Sequence, residues 1–290
     1  MEMVMNTQCL LCHLERNIEL AHTLGGEEKA MAFAKELMKL HLAAPEDVSS
    51  PHFAEGTEIL LRKFYGVPED RFAQEKQESN RFVLERMDKL RTLAEKQEDP
   101  VLAGLKFAIL GNYIDFSALR GNVSFSTLEE MIASALEMEL ESAVYQKLRG
   151  DLKNAKRLLY VTDNAGEIGF DRICAEQIAK RYPHVRITFC VRGGITLNDA
   201  TREDAEAVGI PFPVIDNGNN IAGTVLDKLG EEAKQAMDTA DVIIAKGQAN
   251  AETLLDSGYN IYYAFLVKCV RFEERFRKAK LTPMLVRERG

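Results

Sequence analysis

From residue 7 to about residue 150, apolar positions recur at helical spacing, broken only by short joints around Pro45, Pro51, Pro68 and Pro100. That pattern predicts an all-helical stretch. Inside it, the charged segment 69–98 carries Phe72, Phe82, Leu84, Met87, Leu90 and Leu93 as an apolar stripe, which reads as one long helix facing a core. Asp99-Pro100 reads as an N-cap followed by a first-turn proline. Ser126-Thr127-Leu128-Glu129 reads as a capping box ahead of Met131, Ile132 and Leu136.

After Gly150 the period changes. Short β-rich runs at 158–162, 186–191, 212–215, 242–245, 261–267 and 284–286 alternate with helical runs near 169–181, 201–208, 221–229 and 251–255. Alternation of this kind predicts an α/β fold whose mostly parallel sheet is covered by helices. Two domains are therefore expected, a helical region over 1–150 and an α/β domain over 151–290. Right-handed crossovers place successive strand ends on one rim. That rim would carry Asp163, Asn164, Glu167, Asn198, Asp199, Asp216, Asn217 and Lys246.

The chemistry of the rim is concentrated in two places. The run 158–162 leads into Asp163-Asn164-Ala165-Gly166-Glu167, and the run 185–192 leads into Gly193-Gly194-Ile195-Thr196-Leu197-Asn198-Asp199. Carboxylate and amide oxygens at neighbouring strand ends suit a hard divalent cation. The plainer reading, a helix N-cap or a turn, also fits either cluster taken alone. Gly166 and the Gly193-Gly194 pair would let backbone amides approach an anion. Lys246, ending the run 241–246, would bring positive charge to phosphate oxygens, with Arg192 acting similarly; a solvated strand-end lysine is the alternative. Glu167 fits a helix cap and a contact to substrate hydroxyls equally. Gly111-Asn112-Tyr113-Ile114-Asp115 reads as a turn, and joins the site only if Asn112 and Asp115 face the rim.

A formal net charge of -8 makes nucleic acid and anionic membrane poor partners, while a small phosphorylated molecule needs only a local positive site. No apolar run reaches 18 residues, the longest candidate, 261–270, containing Lys268. Residues 1–6 lack a signal-peptide pattern, so a cytoplasmic location is expected. Five cysteines, an odd number, argue against a disulfide framework. Cys174 and Cys190 read as core fillers. Cys9-x-x-Cys12 fits buried structural thiols as well as a redox or soft-metal pair, with Cys269 a candidate third member. The five histidines show no zinc-ligand spacing and are expected on the surface or in packing, His13 beside Cys12 being the one to follow.

Taken in order, Cys9-x-x-Cys12, Gly111-Asn112-x-x-Asp115, Asp163-Asn164-Ala165-Gly166-Glu167, Arg192-Gly193-x-x-x-x-Asn198-Asp199 and Lys246-Gly247-x-x-Asn250 resemble the damage-control metal phosphatases, the domain of unknown function 89 family. The resemblance covers most of the chain. It implies a helical N-terminal region packed on a Rossmann-like three-layer α/β/α domain and a divalent-metal-dependent phosphatase acting on small phosphometabolites such as sugar phosphates or phosphorylated cofactor precursors, including damaged ones. It also implies Asp163, Asn164 and Asp199 as metal ligands, Lys246 on the phosphate side, and manganese, cobalt, nickel or magnesium as the ion. The CxxC resembles the branch found mainly in prokaryotes. Ile195 stands where that family would lead one to expect proline.

On this reading Asp163, Asp199 and Lys246 are the catalytic set, and Glu167, Arg192, Asn198, Lys246, Asn112 and Asp115 meet the substrate. Whether water or an aspartate attacks phosphorus is left open, as are the physiological substrate and the oligomeric state. Two other functions fit the alternation: a Rossmann-type methyltransferase or nucleotide-binding enzyme, whose GxGxxG fingerprint is missing after the first strand, and a non-enzymatic metal-binding module.

Overall fold

The computed structural model describes residues 3–112, 132 and 134–288. Asp115 and the 126–129 capping box lie outside these described residues. Ahead of the sheet come α1 (Thr7–Ala43, bent at Gly26), α2 (Ala54–Tyr65), α3 (Ala73–Leu84), α4 (Met87–Glu95), α5 (Pro100–Gly111) and α6 (Ser142–Asn154). The expected cap of α5 is present: Asp99 accepts from the Leu102 amide at 3.2 Å and Pro100 occupies the first turn. The segment 69–98, expected as one helix, is two. The chain turns at Glu85-Arg86, where the Arg86 guanidinium bonds the Phe82 carbonyl and lies 3.8 Å from the centre of the Phe82 ring. The turn leaves Leu84 39% exposed, while Phe82, Val83, Met87 and Leu90 go into the core.

The α/β part follows as β1 (Arg157–Val161), α7 (Glu167–Arg181), β2 (Arg186–Val191), α8 (Arg202–Ala207), β3 (Val214–Asp216), α9 (Glu231–Thr239), β4 (Val242–Lys246), α10 (Gly247–Leu254), β5 (Ile261–Leu266), α11 (Val270–Phe276) and β6 (Pro283–Glu288). The sheet order is β3-β2-β1-β4-β5-β6, parallel throughout except for β6, which runs antiparallel to β5. This is the mostly parallel α/β architecture that the alternation predicts. The stretch 221–229, expected as a helix, is instead a loop with one 3-10 turn at Leu226–Lys228, and the helix begins at Glu231. Asparagine side chains explain this. Asn219 accepts from the Ile221 amide and donates to the Lys228 carbonyl, closing a compact loop where helical bonds would otherwise form.

Strand periodicity sorts the core. Leu158, Tyr160, Ile187, Phe189, Val242 and Ile244 face one side, packing with α5, α6 and α7. Leu159, Val161, Cys190, Ile243 and Ala245 face the other, packing with α9, α10 and α11. Helices on both faces require such strands to be apolar at nearly every position. Cys174 and Cys190 are core fillers as expected, and burial pushes both thiols up to about 12.

A smaller core joins α1 and α2 around Phe33, Leu37 and Leu61. Beside it, His13 Nδ1 lies 2.9 Å from His41 Nε2, and the His41 ring stacks on Phe53 at 4.1 Å. Burial, then the charges of His41 and Arg16, push His13 down to about 4. The unfolded chain therefore takes up a proton near pH 6.5 that the folded chain refuses until about pH 4, so this imidazole lowers stability as pH falls through that window. His13→Gln should remove on the order of 2 kcal/mol of that loss. Urea titrations of both proteins at pH 7 and 4.5 check it; equal losses in the two would rule it out.

Candidate functional site

The chain leaves β1 toward β2 on one side while β4 lies on the other, so the strand order reverses between β1 and β4. Open α/β sheets hold ligands outside the carboxyl ends of strands at such a point. Here that point is occupied by Asp163, just past β1, and by Gly247, at the end of β4. The two are in contact. A Cβ built on Gly247 would lie 1.8 Å from Asp163 Oδ2, and Gly247 has φ +77°, so only glycine fits beside this carboxylate.

Two loops carry the ligand candidates, and the backbone ties them together. Ala200 donates to the Asp163 carbonyl at 2.8 Å, Ala165 donates to the Asn198 carbonyl at 2.9 Å, and Asn164 and Asp199 form an isolated antiparallel bridge. Asp163, Asn164 and Asp199 are thereby brought to one place, each 6% exposed or less. Ile195 is 41% exposed on the outer turn of the second loop, and Leu197, with φ 46°, is strained one residue before Asn198.

The side chains form two linked groups. In the first, Asn112 at the end of α5 donates to Asp163 Oδ2 (2.8 Å) and Glu167 Oε2 (2.9 Å), and its own oxygen accepts from the Leu266 amide. Asn164 donates to the same two oxygens at 2.8 and 2.9 Å. Both of its amide hydrogens point at carboxylates, which fixes the orientation of its carbonyl oxygen. Lys246 completes the group from below, donating at 2.7 Å to the Ala108 carbonyl, Glu167 Oε1 and Asp171 Oδ1. All three of its donors are engaged and it is fully buried. It does not face a phosphate in this arrangement.

One ammonium between two buried carboxylates cannot neutralise both. Burial, reinforced by Glu167 and opposed by Lys246, pushes Asp171 up to about 7. Burial alone would lower Lys246, but Asp171 and Glu167 outweigh it and hold the ammonium above its ordinary range. Tyr160 also donates to Asp171 Oδ1, at 2.9 Å, while Asp171 Oδ2 has no partner among the described residues. Asp171 was not singled out by the sequence reading. The signal was available: a carboxylate one turn past Glu167 on an otherwise apolar helix face.

In the second group, Arg192 Nε donates to Asp199 Oδ2 at 2.6 Å and Nη2 to Asn250 Oδ1 at 3.3 Å. Arg192 is 1% exposed and its Nη1 has no partner among the described residues; neither has Asn198 Nδ2 or the Thr196 hydroxyl. Asn250 is fully engaged, with donors on the Thr162 and Lys246 carbonyls and Thr224 on its oxygen. Asp216, also on the predicted rim, pairs with Arg202 at 2.6 Å, and Asn217 accepts from the Gly193 amide.

Two carboxylates and an amide, all oxygen donors, with the Asp163 carboxylate braced by amide hydrogen bonds, fit a hard divalent ion. Among the described residues no group of three His, Cys, Asp or Glu side chains is arranged to hold a metal. Cys9 lies on α1 against α11, its sulfur 3.6 Å from Arg271 Nη1, and Cys12 is exposed. No helix among the described residues is long and apolar enough to cross a membrane.

Residues 5–280 match the damage-control phosphatase ARMT1-like domain. The chain belongs to this family. It is 32% identical over 274 residues to a damage-control phosphatase of Pyrococcus horikoshii, covering 90% of each chain. An uncharacterized protein of Methanocaldococcus jannaschii is 33% identical over 281 residues, covering 90% of this chain and 88% of that one. The crystal structure of a DUF89 family protein from Pyrococcus horikoshii superposes with a TM-score of 0.82 at 27% identity, covering 98% of this chain and 99% of that one. Membership in the damage-control phosphatase family supports a phosphatase role and small phosphorylated substrates.

Proposed function

We propose that this damage-control phosphatase family member is a divalent-metal-assisted phosphatase for small phosphorylated metabolites, sugar phosphates or phosphorylated cofactor precursors. The observation that carries the reading is the pairing of opposite needs at one strand end. The oxygens of Asp163, Asn164 and Asp199 suit a cation, while immediately beside them Arg192 Nη1 and Asn198 Nδ2 are buried donors lacking acceptors among the described residues. A buried unsatisfied donor costs about 1–3 kcal/mol, more on a charged group, so such atoms suit an anionic ligand. A divalent ion together with a phosphate ester would meet both needs.

Asp163, Asn164 and Asp199 would hold manganese, cobalt, nickel or magnesium. The bound ion would supply Lewis acidity at the phosphoryl group and a nucleophile at neutral pH. Arg192 and Asn198 would bind phosphate oxygens, Arg192 already being oriented by Asp199 and Asn250. Glu167, Asn112 and Lys246 would act on the ligand loop from beneath, by the bonds described above.

The test is a matrix of metal-stripped protein against each of the four ions and a panel of aryl, sugar and cofactor-precursor phosphates. Phosphate release that requires an added ion is the expected result. Silence in every cell, or turnover unaffected by chelator, would remove the reading.

A further inference from the structure

Besides Asn112 of α5, a side chain of α3 reaches the site from the helical region, and we infer that Asn80 of α3 is a positioning residue that locks the two ligand-bearing loops to each other. The inference rests on the metal-site reading above. Asn80 is 5% exposed. Its Oδ1 accepts from the Gly166 amide at 2.6 Å, three residues past Asp163, and its Nδ2 donates to Asp204 Oδ1 at 2.8 Å. The other oxygen of Asp204 accepts from the backbone and hydroxyl of Thr201, both at 2.9 Å, two residues past Asp199. Lys76, one turn before Asn80 on α3, lies 3.0 Å from that same oxygen and is 7% exposed.

The far ends of both ligand loops are therefore tied to α3. Close approach supports this: a Cβ on Gly166 would lie 2.6 Å from Ser79 Cβ, leaving no room for the loop to shift toward the helix. The residue type at 80 is dictated by the two partners. One is a donor and the other a carboxylate, so the side chain must accept on one side and donate on the other, which a primary amide of this length does. Alanine leaves the Gly166 amide buried without an acceptor. Aspartate sets a second carboxylate against Asp204. Exchanging the two polarities, Asn80→Asp with Asp204→Asn, restores a donor facing an acceptor at both joints while keeping the charge total, Lys76 then facing an amide oxygen in place of a carboxylate.

The experiment measures manganese affinity by titration, alongside amide hydrogen exchange of the metal-free proteins. Outer-shell partners of metal sites typically contribute 10–100-fold in affinity, and N80A should fall in that range. N80D should bind no better than N80A, and the exchanged pair N80D/D204N should regain most of the loss. Without metal, the amides of Ala165 and Ala200 should exchange about tenfold faster in N80A while those of β5 are unchanged. Wild-type affinity in N80A, or an exchanged pair no tighter than N80D, overturns the positioning role. Wild-type protein that binds neither manganese nor cobalt overturns the metal reading as well, a result told apart by appearing before any substitution is made.

Discussion

Asp163→Asn should reduce metal-dependent phosphate release by about 10³-fold on every substrate the protein accepts. The side chain keeps its size and the buried surroundings stay filled, so the change isolates one negative charge. Lewis-acid stabilisation by a correctly held ion is worth several kcal/mol, and losing about 4 kcal/mol of it corresponds to roughly three powers of ten in rate. The metal-free protein should move the other way or not at all. Asp163 and Glu167 are bridged by the amides of Asn112 and Asn164, and removing one of two neighbouring buried carboxylates relieves repulsion and desolvation. Rates across the metal series, together with thermal unfolding in chelator, check both halves. A variant that turns over within tenfold of wild type would remove Asp163 from the ligand set.

The strands were readable because burial on both faces demands an apolar run, and such a run stops where the chemistry begins, as at Val161 and Lys246. The break at Glu85-Arg86 was not readable, because Leu84 keeps helical spacing in the sequence and only the capture of Phe82 by Arg86 turns it outward. Helix α9 was missed for the opposite reason: only Ala233 and Met237 among its nine residues are buried, too few to show a period. At the site, Asp163, Asn164 and Asp199 lie within a few residues of strand ends, where position alone implies chemistry. Asn80 is 86 residues from the amide it holds, in a polar helix where asparagine is unremarkable. Lys246 could be placed at a strand end from sequence, but its direction could not. Whether it meets solvent, phosphate or carboxylates depends on Glu167 and Asp171, which reach it only after α7 docks on the sheet.

Lys246→Met should cost about 3–5 kcal/mol of stability, the loss typical when one partner of a buried ion pair is removed. The methionine fills most of the volume, so the loss comes from leaving Glu167 and Asp171, both fully buried, without their shared cation. The size of the loss should depend on pH in a defined direction. Asp171 in the folded protein already holds its proton up to about pH 7, above the unfolded carboxyl, so the folded state binds the extra proton and stability declines as pH rises between these values. Removing the ammonium removes the pull that favours ionisation, extending the decline to higher pH in the variant. Adding Asp171→Asn to Lys246→Met should therefore recover part of the loss, a non-additivity expected of residues in one network. Chemical denaturation of the single and double variants at pH 6 and 8 decides the matter. A single variant that loses less than about 1 kcal/mol, or a double variant less stable than the single one at pH 8, would mean that the lysine does not hold these carboxylates in solution and is free to meet phosphate directly.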